Sequence, residues 1–184
     1  RDHEVDPKVG TWYSFLTPAT PAVKEYIPKV FLEVVRNYDV DGIHYDYVRY
    51  PGEIDDFSYD PVSLRRFKEE TGATPDEKPD EWILWRGKQV TDIVRKIYEE
   101  SRKIKPELMV GGSVIANFER AKSRYFARSQ EWLKEPILDL ATPMNYTSGT
   151  TFTQQSLDFI KNSGHGHAYI GMSATVVVRR RIPG

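Results

Sequence analysis

Val40-Asp41-Gly42-Ile43-His44-Tyr45-Asp46-Tyr47-Val48-Arg49-Tyr50-Pro51-Gly52 reads as a buried strand that carries a carboxylate to the edge of a sheet. Strand side chains alternate, so Gly42, His44 and Asp46 share one face while Ile43, Tyr45 and Tyr47 share the other. The first face is polar. A carboxylate at the C-terminal end of a strand, on the face away from the aliphatic side chains, is where a β/α barrel sets its catalytic groups. Asp46 is therefore the first catalytic candidate, and capping of the following loop is the other use an aspartate finds at such a point. His44 reads as a hydrogen-bonded interior imidazole that orients Asp46 and faces a bound substrate.

Working outward from this strand, the flanking segments alternate between helical and extended patterns. Thr20-Pro21 opens a helix with an apolar stripe through Val23, Tyr26, Ile27, Val30, Phe31 and Val34, with a kink expected at Pro28. After the strand comes a loop of aromatic and acidic residues through Tyr59, long enough to line a site. Asp60-Pro61 caps a short helix that stops at Gly72, and a longer helix spans about Glu81 to Ile104. Then follow extended runs at 108–114, 138–146 and 168–173, separated by a helical patch ending at Trp132-Leu133 and a helix near 154–161. Such alternation predicts a parallel sheet with helical crossovers. No Gly-x-Gly-x-x-Gly or phosphate-loop pattern follows any strand, which favours a β/α (TIM) barrel over a nucleotide-binding open sheet. With a strand at 11–16, about five of the eight strands of such a barrel are present. Residues 1–184 thus read as a single barrel domain or its C-terminal portion, completed by a missing N-terminal segment or a partner chain.

Composition narrows the function classes. Among 184 residues, 26 Lys and Arg nearly balance 27 Asp and Glu, so no electrostatic footprint for nucleic acid or an anionic membrane stands out. The Arg179-Arg180-Arg181 run is a local, solvated cluster. Zero cysteines exclude disulfides, thiolate metal sites and a cysteine nucleophile. No apolar run approaches the roughly 20 residues of a membrane span, and no signal segment opens the chain. The two imidazoles of His165-Gly166-His167 lack an evident third ligand and read as loop, so no metal and no cofactor are expected.

Beyond one motif, several ordered stretches point the same way. Tyr38-Asp39-Val40-Asp41-Gly42-Ile43-His44-Tyr45-Asp46 resembles the Tyr-Asp-Val-Asp-Gly-Ile-His-Phe-Asp segment of the bacterial glycosyl-hydrolase-like family 10. Leu16-Thr17-Pro18-Ala19-Thr20-Pro21-Ala22-Val23 is similar to its Leu-Asp-Pro-x-x-Pro-x-Val. Trp85-Arg86 with Val90, then Glu131-Trp132-Leu133 and Leu138-Asp139-Leu140-Ala141-Thr142-Pro143, resemble its later stretches. The resemblance implies a polysaccharide-cleaving β/α barrel of bacterial envelopes, extracellular or periplasmic, with members that cut peptide-free peptidoglycan glycan strands. Thr17 and Tyr47 stand where the family usually has Asp, and Ser113-Val114-Ile115-Ala116 replaces its Ser-Pro-Phe-Gly. A more distant likeness is to the family-18 chitinases, whose Asp-Gly-x-Asp-x-Asp-x-Glu is matched at Asp41, Gly42 and Asp46, and whose Met-x-Tyr is matched at Met144 and Tyr146. Val48 occupies the position of their acid, and an alkyl group cannot donate a proton.

Glycosidases of the common type need two carboxyl groups flanking the scissile bond. Glu119, shortly after the run at 108–114, is the in-chain partner assigned to Asp46, although an exposed first-turn helical residue has the same appearance. Glu53, Asp55 and Asp56 are alternatives. Sugar rings expose apolar C–H faces to aromatic side chains and hydroxyls to amides and guanidinium groups. Tyr47, Tyr50, Asn145 and Tyr146 are placed for that, each with core or loop packing as its other reading. Arg49 suits a carboxylate-bearing sugar such as a muramic acid, or an ion pair with Asp55 or Asp56. Trp82 and Trp85 lie on a helix and read as core. The leading expectation is a glycoside hydrolase acting on an amino-sugar polymer, and the alternative is a non-catalytic glycan-binding module derived from such a barrel. A sugar-phosphate isomerase or aldolase would want a phosphate site and usually a catalytic lysine, and neither is present.

Overall fold

The computed structural model describes residues 15–52, 58–164 and 166–173. Helix α1 (Pro21–Asn37) begins with Pro21 at its first turn, where a missing N–H costs nothing, and runs on through Pro28. Strand β1 (Gly42–Tyr45) follows. Helix α2 (Pro61–Thr71) is capped as its sequence predicts. Asp60 accepts the Val62 and Ser63 amides at 3.1 and 3.0 Å, and Gly72 closes the helix with a left-handed backbone (φ 73). The long helix α3 (Pro79–Ile104) leads to strand β2 (Met109–Ile115). Two short helices, α4 (Phe118–Ser123) and α5 (Ser129–Trp132), precede strand β3 (Leu140–Met144), helix α6 (Gly149–Asn162) and strand β4 (His167–Ala168).

The four strands form one parallel sheet in the sequential order β1-β2-β3-β4. A mixed α/β chain with this sheet is compatible with part of an α/β barrel. The strand expected at 11–16 lies largely outside the described residues, and the two of its positions that are described, Phe15 and Leu16, are not extended into the sheet. The strand expected at 168–173 is shorter, with one further parallel bridge from Met144 to Gly171.

The two faces of the sheet differ sharply. Ile43, Tyr45, Val110, Val114 and Ala141 are buried against Val35 of α1 and Val90, Ile93, Val94 and Ile97 of α3. Each fully buried aliphatic here contributes roughly 1.5–3 kcal/mol. On the other face Gly42, His44, Met109, His167 and Tyr169 are exposed, and Ser113, Ile115, Leu140, Thr142 and Met144 are half-buried. A second cluster of Ala19, Phe67, Trp82 and Trp85 joins the start of α1 to α2 and α3, with the two indoles stacked at 5.2 Å, so these tryptophans are core.

Candidate active site

Register decides which side chains meet on the exposed face. Gly42 pairs with Met109 and His44 with Gly111; Gly111 pairs with Leu140 and Ser113 with Thr142; Leu140 pairs with His167. The face is therefore layered, with His44, Gly111, Leu140 and His167 in one row. Ser113 and Thr142 form the next row, towards the C-terminal ends of the strands. His44 does not stand upright from β1: its Nε2 lies 3.0 Å from Ser113 Oγ on the neighbouring strand.

Asp46 follows the last residue of β1, and its carboxylate is 60% exposed. Its Oδ1 accepts the Tyr47 amide at 2.7 Å and lies 3.8 Å from Arg49 Nη1. The loop-capping contact and the exposed, solvent-facing carboxylate thus coexist. Tyr47 ends the strand with a φ of 53°, and it still lines the same cavity as Tyr45. Its exposed ring carries the Arg49 guanidinium 4.3 Å above its centroid, and the Arg49 amide bonds to the Tyr47 carbonyl at 2.8 Å. The Arg49 side chain is only 10% exposed, and its buried Nη1 has no hydrogen-bond partner among the described residues. Its alternative partners Asp55 and Asp56, like Glu53, lie outside the described residues, as does His165.

Two expected sugar contacts are corrected by packing. Tyr50 is 3% exposed, with its ring edge-on to Phe126 at 5.6 Å, and a stacking platform needs an open ring face. Burial pushes its phenol well above the ordinary value, so it stays neutral. Asn145 is 1% exposed and both its amide protons are used, donated to the Phe152 carbonyl at 2.9 Å and to Ser156 Oγ at 3.0 Å, while its oxygen accepts from Thr147 at 2.6 Å. Tyr146, the next residue, is exposed at the C-terminal end of β3. Glu119 is exposed in the first turn of α4, behind the Asn117 cap that accepts the Arg120 amide at 2.9 Å. No hydrogen bond or ion pair joins Glu119 to Asp46, but their loops are clamped together. Tyr50 donates its amide to the Tyr125 carbonyl at 3.0 Å, Arg124 donates to the Gly52 carbonyl, and Gly52 faces the Tyr125 ring so closely that a Cβ would collide with it.

The sheet thus brings together His44 and Ser113, while Asp46 and Tyr47 follow the end of β1, Glu119 follows β2 and Tyr146 follows β3. Ser113, Thr142 and Tyr169 had not been singled out. The signal for them was the period-two pattern around Gly111-Gly112, since glycine within a strand marks close approach of a neighbour. A largely apolar cavity of about 450 Å³ between α1, α3 and β1 is lined by Ile27, Phe31, Tyr45 and Ile93, and Asp46, Tyr47 and Arg49 line it where β1 ends. Its apolar walls offer little to a hydroxyl-rich ligand, and the polar groups of the region are those at the end of β1 and on the exposed face of the sheet.

A family model described as Glycosyl hydrolase-like 10 matches residues 8–168. Glycosyl hydrolase DigH of Escherichia coli O6:H1 (strain CFT073) is 25% identical over 145 residues, covering 71% of this chain and 31% of the relative. Glycosyl hydrolase YngK of Bacillus subtilis (strain 168) is 23% identical over 180 residues, covering 85% of this chain and 34% of the relative. The chain spans about a third of the length of these curated relatives.

Proposed function

The chain belongs to the glycosyl hydrolase-like 10 family, and from that premise we propose that the protein hydrolyses glycosidic bonds in an amino-sugar polymer, such as peptide-free peptidoglycan glycan strands. The observation that carries this reading is the exposed Asp46 carboxylate just past the C-terminal end of β1 in a parallel sheet. In this reading the four strands are part of a closed β/α barrel, and the exposed face is its interior. Asp46 is ionised and acts as the nucleophile or as the group that steers a substrate acetamide. Glu119, in the first turn of α4, protonates the departing sugar. Tyr47 and Tyr146 supply apolar ring faces, and Arg49, held over the Tyr47 ring beside Asp46, meets an acidic substituent. On this reading the protein works outside the cytoplasm, where such polymers lie.

The test is incubation of the full-length protein with peptide-free glycan strands, chitin oligomers and glucosamine polymers, with products resolved by mass spectrometry. Cleavage of an N-acetylated polymer that disappears in Asp46→Asn supports the assignment. Binding without cleavage would establish the glycan-binding module instead, the reading that Thr17 and Tyr47 in place of acidic residues favours. Neither binding nor cleavage of any of the three would sink both.

A further inference from the structure

Gly111, on the polar face, leaves the space in which the His44 ring lies. It stands directly across from His44, and a Cβ built on it would lie 2.7 Å from His44 Nδ1 and 3.0 Å from Leu140 Cδ2. With glycine there, the imidazole lies across β2 and reaches Ser113, two residues further along on the same face. Neither Gly111 nor Ser113 needs this arrangement for the core, which is on the other side of the sheet.

We propose that His44 and Ser113 act as a couple: the imidazole, seated in the space left by Gly111, fixes the Ser113 hydroxyl, and that hydroxyl binds a sugar hydroxyl in the subsite over Asp46. The proposal rests on the glycoside hydrolase reading and adds the contact that seats the ring. A serine hydroxyl has one proton and two lone pairs, and Nε2 occupies one of these positions. If Nε2 accepts, Ser113 offers lone pairs to a sugar O–H; if Nε2 donates, Ser113 turns its own proton outward. A sugar hydroxyl is both donor and acceptor, so either tautomer suits it. A serine nucleophile activated by histidine is a poorer account of the same pair, because that chemistry wants a third group on the other ring nitrogen, and Nδ1 lies against Gly111. Ser113 is then the substrate contact and His44 its positioning residue.

The full-length protein tests this with chitotetraose and with peptide-free glycan strands as probes. Ser113→Ala and His44→Ala should each raise KM about five- to tenfold, the worth of one hydrogen bond, with kcat within about twofold. The double variant should lose no more than either single one, because the two residues form one unit. Gly111→Ala removes no polar group, yet it should reproduce His44→Ala and should cost nothing further when added to it. Ser113→Thr and His44→Gln should recover part of the loss, which a general weakening of the fold would not allow. Additive losses in the double variant, or a wild-type KM for Ser113→Ala, would overturn the couple while leaving the hydrolase reading intact. If Gly111→Ala loses its cooperative thermal transition, the Ser113 and His44 cycle decides alone. If the wild-type protein binds chitotetraose without cleaving it, the same cycle read on Kd decides. If it neither binds nor cleaves either probe, the sugar site and the couple fall together.

Discussion

Tyr47 takes a left-handed backbone immediately after Asp46, a conformation that costs a bulky residue on the order of 1–3 kcal/mol. Its amide is held by Asp46 Oδ1 and its carbonyl by the Arg49 amide, so the turn is closed from both sides and the carboxylate has a fixed aim. Asparagine can accept the same amide bond. Asp46→Asn should therefore leave thermal stability within about 0.5 kcal/mol of wild type. Turnover on a cleaved glycan should nevertheless fall at least about a thousandfold, because the charge needed in the transition state is gone. A folded Asn variant with near-normal turnover would remove Asp46 from the mechanism. Tyr146 tests a different role: if its hydroxyl holds a reacting acetamide, Tyr146→Phe should slow hydrolysis of N-acetylated substrates about ten- to a hundredfold. Unchanged rates would reduce it to a stacking face.

At the scale of the elements, α2 is held by its ends. Besides accepting two backbone amides, the Asp60 carboxylate accepts the Ser63 hydroxyl at 2.6 Å. Asp60→Ala should cost about 1–2 kcal/mol in urea unfolding, with Asp60→Ser losing less. Helices α1 and α3 are joined by Lys24 and Asp92, 2.8 Å apart, with Lys88 also on Asp92 at 2.9 Å. Burial raises the Asp92 carboxyl, but the hydrogen bonds and charges of Lys24 and Lys88 outweigh it and hold the group below its ordinary value. A carboxyl depressed in the folded state stabilises above its unfolded value, near 3.9, and loses that contribution as pH falls through the depressed folded value. Burial holds the Lys24 ammonium below its ordinary value as well, which opposes folding while the lysine is charged. Lys24 stays charged throughout the acid range, so only Asp92 shapes the acid limb. Asp92→Asn should accordingly flatten the fall in melting temperature below about pH 4. An unchanged acid limb would show that the pair does not couple the helices to pH.

For the whole molecule, Asp139 ties the sheet to its covering helix. Its Oδ1 accepts from Arg102 at 2.7 Å and Tyr98 at 3.1 Å on α3, and its Oδ2 accepts the Val110 amide of β2 at 2.8 Å. Its own amide bonds to the Val110 carbonyl, and its carbonyl accepts the His167 amide of β4, both at 2.8 Å. One residue at the N-terminal end of β3 thus joins three strands and a helix, at the end of the sheet opposite Asp46. That end of a β/α sheet serves stability. Asp139→Ala should cost about 3 kcal/mol by leaving a guanidinium and a strand amide without their acceptor. If some glycan is cleaved, the kcat/KM of the folded fraction should hold within about threefold. A large catalytic loss at full stability would contradict the structural role.

The sequence by itself determined the order of helices and strands, the Asp60 and Gly72 boundaries of α2, and the position of Asp46 at the end of a strand, because caps and periodicity are properties of neighbours along the chain. Burial of Trp82 and Trp85 followed from the same helical pattern. Only the tertiary structure decided that Tyr50 and Asn145 are enclosed while Tyr146 is open, since one aromatic or amide beside another looks alike until packing chooses which is covered. It alone also decided that His44 meets Ser113, 69 residues away, and that Asp139 meets Arg102 and Val110. Those meetings depend on strand register, which no local stretch of the chain encodes, even though the glycine that makes room for His44 is plain in the sequence.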